Sequence, residues 1–306
     1  MVSIVTKKIK NNKYLYLVTS IRNKEKITQK TIKYIGKKRP IPKEEFECMI
    51  YSYKKQDWVL NEFKDHLSYQ DHHQMKKVSD QYKSYLKNLD KTSEEKEKEK
   101  FLSNFITNSN AIEGSTLTKK ETFNYLFNDI TPPGHRKKEL FMANNLLKAW
   151  NYLEKNKKRF PREEDLLNLH KLVNSNIETD KTLGKYKQVQ NYIGDISTTS
   201  HLFTKERMKQ LFNWIKKAYK HVNDYEVAFQ AHAQFEIIHP FVDGNGRVGR
   251  IFLNWLLIHN KLMPLAIPFK KRGEYINALE NTRKGKIKAI CKFCFNEYIK
   301  QYEFKE

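Results

Sequence analysis

The sequence predicts a mainly α-helical protein that begins with a small β module. Apolar and polar residues alternate with a period of two almost only before residue 40. After Pro40 and Pro42 the apolar residues recur at helical spacing, and strand signals almost disappear. We therefore divide the chain into a β module at residues 1–43, a helical linker region at residues 44–100 and a helical domain at residues 101–306.

The N-terminal module has the pattern of a three-stranded antiparallel sheet. Residues 4–21 alternate around Asn11 and Asn12, which is typical of a hairpin, and a third strand is expected at residues 27–35, before Gly36. Through position 45 the chain carries thirteen Lys or Arg residues and three Glu residues. The module is therefore small and strongly basic.

Composition narrows the class of protein without choosing a partner. The chain has 306 residues and a formal net charge of +23, which attracts polyanions such as nucleic acid, nucleotides or acidic protein surfaces. Three cysteines cannot form a closed disulfide framework, and no apolar run of about 18 residues suits a membrane span. We expect a soluble, cytoplasmic protein without a membrane segment.

The first helix of the third region has two polar residues that share a face. Apolar residues from Phe101 to Ile112 have helical spacing, and Gly114 is suited to end the helix. Ser109 and Glu113 are four residues apart, so their side chains project from the same face.

Further helices are expected on both sides of a short β-like run. Thr118 and Glu121 form a capping box, and Pro161 opens a helix with acids in its first turn. Residues 186–194 then read as a short ribbon, which suits either an edge for a partner chain or a surface loop. Helices resume at Lys205 and continue towards the C-terminus.

Two possible metal sites are less favourable than structural explanations. Cys291 and Cys294 form one C-x-x-C without a second ligand pair, and their spacing suits a buried helix face. His232 and His239 are seven residues apart without an evident third ligand, which favours a structural role for His232.

The densest chemistry lies in one turn between two predicted helices. Residues 227–238 carry an apolar stripe, and that helix should end near His239, because a residue before proline leaves the helical region. A second amphipathic helix starts with residues 251–256. The glycine-rich turn between them therefore lies at a helix N-terminus, where free amide groups attract anions.

The turn has the residue types that phosphate binding requires. Gly244 and Gly246 let the backbone approach a phosphate closely, and Arg247 and Arg250 can hold phosphate oxygens through two donors each. The spacing also matches a dinucleotide-binding pattern, but no strand precedes it and no βαβ unit surrounds it. No P-loop motif occurs.

Two further side chains of the turn suggest catalysis. Asp243 offers the hard oxygen ligand that Mg²⁺ prefers. His239, at the edge of the same turn, is available as a general base.

Residues 239–250 resemble the signature of the Fic family, H-P-F-x-D/E-G-N-G-R-x-x-R, at every fixed position. The resemblance extends over about residues 101–289 and implies a mostly helical bundle with a β-hairpin flap. It also implies AMP transfer from ATP to a hydroxyl of a target protein, with release of pyrophosphate.

The resemblance also implies a role for each residue of the turn. His239 would deprotonate the Ser, Thr or Tyr hydroxyl, and Asp243 would hold Mg²⁺ on the α- and β-phosphates. The implied phosphate-binding residues are Gly244, Asn245, Gly246, Arg247 and, for the γ-phosphate, Arg250.

A second resemblance concerns regulation. Ser109, Glu113 and Gly114 match the family's inhibitory motif, S/T-x-x-x-E-G/N, in which the glutamate pairs with the second arginine of the signature. Here that pair would be Glu113 and Arg250, and it would block placement of the γ-phosphate. The ribbon resembles the flap that aligns a target as an added strand, and it comprises Gln188, Val189, Gln190, Asn191, Tyr192, Ile193 and Gly194.

The chain departs from the family pattern near the flap. Lys187 stands where the family commonly has arginine, and a proline pair often found after the flap is missing around His201. Tyr275 lies in a segment that resembles the nucleoside side of the site, although a core tyrosine on an amphipathic helix fits equally well.

Alternative functions remain open from sequence. The same site could remove AMP, or transfer UMP, phosphate or phosphocholine. The N-terminal module faintly resembles a β domain found before some transposases and some Fic proteins, so a basic adaptor for nucleic acid is a further alternative. The target could be the protein itself, and a homo-oligomer is possible.

Overall fold

The computed structural model describes residues 2–23, 26–54, 62–193 and 196–303. It confirms the mainly helical class and the N-terminal sheet. Within the described residues the α-helices are α1 (Lys43–Lys54), α2 (Tyr69–Lys87), α3 (Lys91–Ile112), α4 (Lys119–Phe127), α5 (Lys137–Asn156), α6 (Glu163–Val173), α7 (Thr204–Ala218), α8 (Asp224–Ile238), α9 (Asn245–His259), α10 (Arg272–Arg283) and α11 (Lys288–Tyr302). A 3-10 turn at Phe269–Lys271 precedes α10.

The N-terminal sheet is antiparallel in the order β1-β2-β3, with β1 at Val2–Ile9, β2 at Asn12–Asn23 and β3 at Lys26–Lys37. The register between β2 and β3 shifts twice, next to Leu15 and next to Leu17. Each shift inserts one extra residue into β3, which bends and twists the ladder.

The main hydrophobic core surrounds α8 and α9. Every residue of α8 from Tyr225 to Ile238 is buried, because apolar side chains occur all round this helix. Phe252 and Trp255 of α9 are fully buried in the same core. These two helices are joined by the turn at residues 239–244, which is therefore fixed at both ends.

The region before residue 101 is tied to the rest of the molecule. Helix α3 runs without interruption across position 100, so the expected division there has no structural break. Met75 and Val78 of α2 lie in the main core. The β module has a smaller core of its own, in which Leu17 of the sheet joins Met49 of α1 and Phe203 before α7.

Several local expectations are confirmed. Thr118 and Glu121 form the capping box of α4. Cys291 and Cys294 are fully buried on α11, as a structural role requires. Among the described residues, no helix is long and apolar enough to cross a membrane.

Candidate active site

His239 ends α8 in a left-handed conformation, with φ at 51° and ψ at 62°. Its amide still donates to the Phe235 carbonyl at 2.9 Å, but Pro240 prevents continuation of the helix. The left-handed turn reverses the chain abruptly, so the imidazole stands at the edge of the following loop. Its side chain is 18% exposed.

Asn245 fixes the shape of the loop from within. Its side chain accepts a hydrogen bond from the Phe241 amide at 2.8 Å and donates to the Phe241 carbonyl at 2.9 Å. The side chain is therefore occupied by the loop itself. Only its backbone, at the N-terminus of α9, is placed to contribute to the expected anion cradle.

Gly244 and Gly246 are required by close contacts. Gly244 has a φ of 73°, and a Cβ there would overlap the amide of Asn174. A Cβ on Gly246 would overlap the carboxylate of Glu113. Both glycines therefore leave space for a polar group against the first turn of α9.

Arg247 is buried with part of its guanidinium unsatisfied. Its Nη2 donates to Asn174 Oδ1 at 3.0 Å and lies 3.7 Å from Asp243 Oδ2. Its Nε and Nη1 have no hydrogen-bond acceptor among the described residues, although the side chain is only 2% exposed. Burial lowers the pKa of Arg247, but an arginine stays protonated at neutral pH. A buried cation with two unused donors is suited to bind an anion.

Arg250, one turn further along α9, has well-defined partners. Its Nε donates to Ser109 Oγ at 2.9 Å, and its Nη2 donates to the Ser109 carbonyl and to Glu113 Oε1, both at 2.8 Å. Burial alone would lower the pKa of Arg250, but the Glu113 charge outweighs it and the net shift is upward. The sequence-predicted pair of Glu113 and Arg250 is thus in contact.

The Glu113 carboxylate lies where an anion would bind at the start of α9. It caps the C-terminus of α3, and its Oε1 fills the space over Gly246, the second residue of α9. Gly114 follows with a φ of 95°, a conformation that favours glycine and turns the chain away from the site. The carboxylate and a phosphate would therefore compete for the same position.

Asp243 is the one acidic residue of the turn from His239 to Arg250, and it is open to solvent. Its side chain is 54% exposed, and its Oδ1 accepts from the Gly244 amide at 2.6 Å. A single exposed carboxylate beside a phosphate-binding turn fits Mg²⁺, which usually binds one or two carboxylates together with substrate phosphates. The residues present therefore fit a magnesium ion.

Burial keeps the His239 imidazole neutral, and nearby positive charges add to the effect. Burial lowers the pKa of His239 to about 3, and the positive charges of Lys187 and Arg283 act in the same direction. Its Nδ1 lies 3.8 Å from Glu236 Oε2 and has no hydrogen-bond partner among the described residues. Burial also raises the pKa of Glu236 to about 8, so this carboxyl group is mostly protonated at neutral pH.

A sequence model of the Fic/DOC family matches residues 160–257, which include α6 and the whole His239–Arg250 turn. These residues are therefore similar to a Fic domain. Protein adenylyltransferase fic-1 of Caenorhabditis elegans is 25% identical over 194 residues, which are 62% of this chain and 38% of that protein. Protein adenylyltransferase Fic of Nematostella vectensis is 27% identical over 192 residues, or 61% and 45% of the two chains. The chain thus spans less than half the length of these relatives.

Solved structures share the fold. Fic-1 from Caenorhabditis elegans superposes with a TM-score of 0.64 at 22% identity, over 76% of this chain and 71% of that chain. A Fic domain containing signaling protein from Bacteroides thetaiotaomicron gives a TM-score of 0.67 at 22% identity, over 75% and 95%. The similarity extends well beyond the matched segment, so the Fic fold includes helices on both sides of it.

The expected flap of the Fic domain is a very short hairpin. Strands β4 (Tyr192–Ile193) and β5 (Ile196–Ser197) pair antiparallel, while Gly194 lies outside the described residues. The residues before β4 are held by the turn after α8 instead of by a strand ladder. The Lys187 amide donates to the Pro240 carbonyl at 2.9 Å, and Asn191 Nδ2 donates to the Phe241 carbonyl at 2.6 Å. Gln188, Val189 and Gln190 are consequently not part of a strand.

Lys187 joins the flap to the end of α8. Its Nζ donates to Asn191 Oδ1 at 2.6 Å, to Thr198 Oγ1 at 2.8 Å and to the Ile238 carbonyl at 3.4 Å. Burial lowers the pKa of Lys187 to about 7. Lys187 occupies the position where the family commonly has arginine. Through Asn191, Thr198 and the Ile238 carbonyl it still links the segments on both sides of the hairpin to α8.

Tyr275 is placed as a core residue at the wall of the site. Its ring is 1% exposed, and its hydroxyl lies 2.7 Å from Nε2 of His232, whose other ring nitrogen lies 3.0 Å from the Gly249 carbonyl. Both nitrogens of His232 are thus occupied by protein, which agrees with a structural role. The cleft of about 160 Å³ lined by Glu113, His239 and Arg250 also reaches Tyr275.

Sequence reasoning missed two residues that support the loop, His170 of α6 and Asn174, the C-cap of that helix. His170 Nε2 lies 3.2 Å from the Asp243 carbonyl, and its ring stacks on Phe241 with centroids 4.0 Å apart. Asn174 contacts Arg247 and also lies 3.3 Å from the Asp243 carbonyl through Nδ2. A polar pair four residues apart on the apolar face of a helix was the available signal.

Proposed function

We propose that this protein transfers AMP from ATP to a hydroxyl group of a target protein, and that Glu113 inhibits the reaction by pairing with Arg250. The observation that carries the proposal is the Glu113 carboxylate, which lies on Arg250 and over Gly246 at the start of α9. The names of the relatives support AMP transfer. The site supports it by combining a histidine, a phosphate-binding turn and an exposed carboxylate.

The polyphosphate of ATP fits three cationic features of the site. The N-terminus of α9 offers free amides, Arg247 offers two unused donors, and Arg250 offers a guanidinium that Glu113 now holds. A γ-phosphate on Arg250 would have to displace the carboxylate, because the two negative groups would repel each other at that distance. ATP would then bind in a non-productive way while Glu113 stays in place.

His239 is placed to take the proton of the target hydroxyl. The hydroxyl oxygen would bond to the α-phosphorus, the bond from that phosphorus to the oxygen bridging to the β-phosphate would break, and pyrophosphate would leave. The imidazole is neutral and can accept the proton. The negative charge of bound ATP would raise the pKa of His239 and strengthen it as a base.

Asp243 would hold Mg²⁺, and the ion would neutralise charge on the phosphates when bound. The half-exposed position of the carboxylate leaves it room to contribute an oxygen to the ion.

The flap is the proposed docking edge for the target. Tyr192 of β4 is 44% exposed. The hairpin of β4 and β5 is flanked by Asn191 and Thr198, which Lys187 holds in place. A target segment could pair with its free edge as an added strand, which would bring a hydroxyl towards His239.

The test follows label from the α-phosphate of ATP into protein in the presence of Mg²⁺. We expect Glu113→Ala to increase labelling of the protein itself or of added lysate proteins at least about tenfold, since the loss of a charged hydrogen bond is worth about 1.5–3 kcal/mol. Glu280→Ala removes another glutamate that lines the cleft and should behave as wild type. His239→Ala combined with Glu113→Ala should remove the label.

Equal labelling by all four proteins would contradict the mechanism. Label from the γ-phosphate alone would identify a kinase instead. If wild type released AMP from a labelled protein and Glu113→Ala did not, the site would be a deAMPylase that uses the carboxylate to orient water.

A further inference from the structure

The rest of the protein covers one face of the β-module sheet at Leu15 and Leu17, whereas the opposite face is buried at Val18 but exposes Tyr34. Leu15 and Leu17 of β2 are buried, and Leu17 packs with Met49 and Phe203. Side chains alternate along a strand, so the even-numbered residues of β2 point the opposite way. We call the face that contains Tyr14, Tyr16 and their cross-strand neighbours the outer face.

Three tyrosines cluster on the outer face. Tyr16 pairs with Tyr34 across β2 and β3, with ring centroids 5.3 Å apart, and Tyr14 lies 6.0 Å from the same Tyr34 ring. Tyr34, on the edge strand β3, is 51% exposed. The cluster therefore presents aromatic surface to solvent.

The same face carries cations and no described carboxylate. Lys7 pairs with Tyr14 in the register, and its Nζ lies 4.9 Å from the centre of the Tyr16 ring. The register also places Arg22 on this face, and Lys37 beside Tyr14. Residues 2–23 and 26–37 contain no Asp or Glu at all. Positive charges thus lie beside the tyrosine cluster and at the far end of β2.

We propose that this outer face binds single-stranded nucleic acid. Tyrosine rings stack on bases without regard to sequence, and lysine or arginine side chains contact the phosphates between them. Positive charge alone would attract any polyanion, but exposed aromatic rings add selectivity for unpaired bases. A duplex hides its bases in the stack, and an acidic protein surface offers none.

The size of the face is adequate for this ligand. Along β2, Tyr14 and Arg22 are separated by about 26 Å at roughly 3.3 Å per residue. Single-stranded sites in proteins start at about four nucleotides. The site is separate from the Fic catalytic turn, so the proposal does not depend on AMP transfer.

The experiment measures fluorescence anisotropy of a labelled 20-residue thymidine oligonucleotide with the full chain at low and moderate salt. We expect Tyr34→Ala to weaken binding about fivefold or more, because one stacked base is lost, while Tyr34→Phe should change it less than about twofold. Lys7→Ala should weaken binding and reduce the slope of log K against log salt by about 0.7.

Lys30→Ala is the matched control, since it removes the same charge from the opposite face of the same sheet, where Lys30 pairs with Thr19. It should weaken binding less than Lys7→Ala. A uridine oligonucleotide should bind like the thymidine one, and a 20-base-pair duplex more weakly.

Two results would overturn the proposal. One is a duplex or polyglutamate that binds as tightly as the single strand. The other is a Tyr34→Ala protein that keeps its wild-type circular dichroism and its affinity, or loses no more than Lys30→Ala does. If Tyr34→Ala does not fold, the comparison of Lys7→Ala with Lys30→Ala decides the question alone.

Discussion

The two sides of the active site that meet at Arg250 are built in different ways. On the loop side, Asn245 closes the turn with two buried hydrogen bonds, and Asn174 and His170 support it from α6. On the proposed inhibitory side, the Glu113 side chain is 33% exposed and, among the described residues, makes one hydrogen bond, to Arg250. One side has many buried contacts, and the other combines two contacts from buried Ser109 with one partly exposed carboxylate.

This difference separates a fixed component from a releasable one. Removing a buried support should damage the phosphate-binding turn, because the groups left behind lose their partners. Displacing Glu113 should cost less, because an incoming phosphate would take its place on the buried Arg250 guanidinium. The arrangement suits a site that is preorganised for catalysis but held by a contact that can be broken.

The largest effect is expected from Asn174→Ala. This change removes the acceptor of Arg247 Nη2 and a contact to the Asp243 carbonyl, so both the guanidinium and the loop lose their orientation. In the Glu113→Ala background we expect AMP labelling to fall about 10- to 100-fold, in line with the loss of about 1.5–3 kcal/mol for a hydrogen bond to a charged group.

The matched control is Asn168→Ala, on an exposed position of the same helix. It should retain the labelling of the Glu113→Ala parent. If Asn174→Ala labelled as fast as Asn168→Ala did, the loop would not depend on α6 for its shape.

The sequence predicted the turn from His239 to Arg250 more completely than the residues that hold it in place, such as His170 and Asn174. The turn from His239 to Arg250 could be placed between two helices because Pro240 ends one helix and apolar spacing starts the next. The contact of Glu113 with Arg250 is formed across 137 positions, and only the motif resemblance indicated it. Periodicity alone gives no distance between such residues.

Contacts made by residues without a motif were not predictable. Glu236 reads as one position of a buried helix, and nothing in the sequence indicates that its carboxyl faces His239 and Gly249. The flap was expected from residue 188, but backbone and side-chain bonds to the loop replace strand pairing until Tyr192. Both features arise from tertiary packing.

The next largest effect is expected from Glu236→Gln, which changes the buried carboxyl group beside His239. Burial raises its pKa from 4.5 to about 8, so between these pH values the folded protein keeps a proton that the unfolded chain has already lost. Stability from this group is therefore complete below about pH 4.5 and is lost as pH rises through about 8. Glu236→Gln stays neutral, so we expect it to gain roughly 1–4 kcal/mol relative to wild type between pH 5 and pH 8, measured by urea unfolding.

Glu274→Gln is the control, because that carboxylate is 63% exposed on α10. Its difference from wild type should hardly change with pH. A pH-independent difference for Glu236→Gln as well would show that the Glu236 carboxyl group is ionised in the folded protein.

The smallest effect is expected from Ser109→Ala, which acts on the inhibitory side alone. It removes the acceptor of Arg250 Nε but leaves the Ser109 carbonyl and Glu113 on Nη2. The guanidinium should be held less firmly against Glu113, and we expect AMP labelling by the otherwise wild-type protein to increase only about two- to threefold, since a single hydrogen bond contributes about 1 kcal/mol and two others remain.

Ser103→Ala offers a control on the same helix, because Ser103 is equally buried and donates only to the Lys100 carbonyl. It should label like wild type. If Ser109→Ala released as much activity as Glu113→Ala, the hydroxyl group would be the inhibitory contact and the carboxylate would merely accompany it. If the increase stays small, inhibition resides in the one exposed side chain that a γ-phosphate can displace.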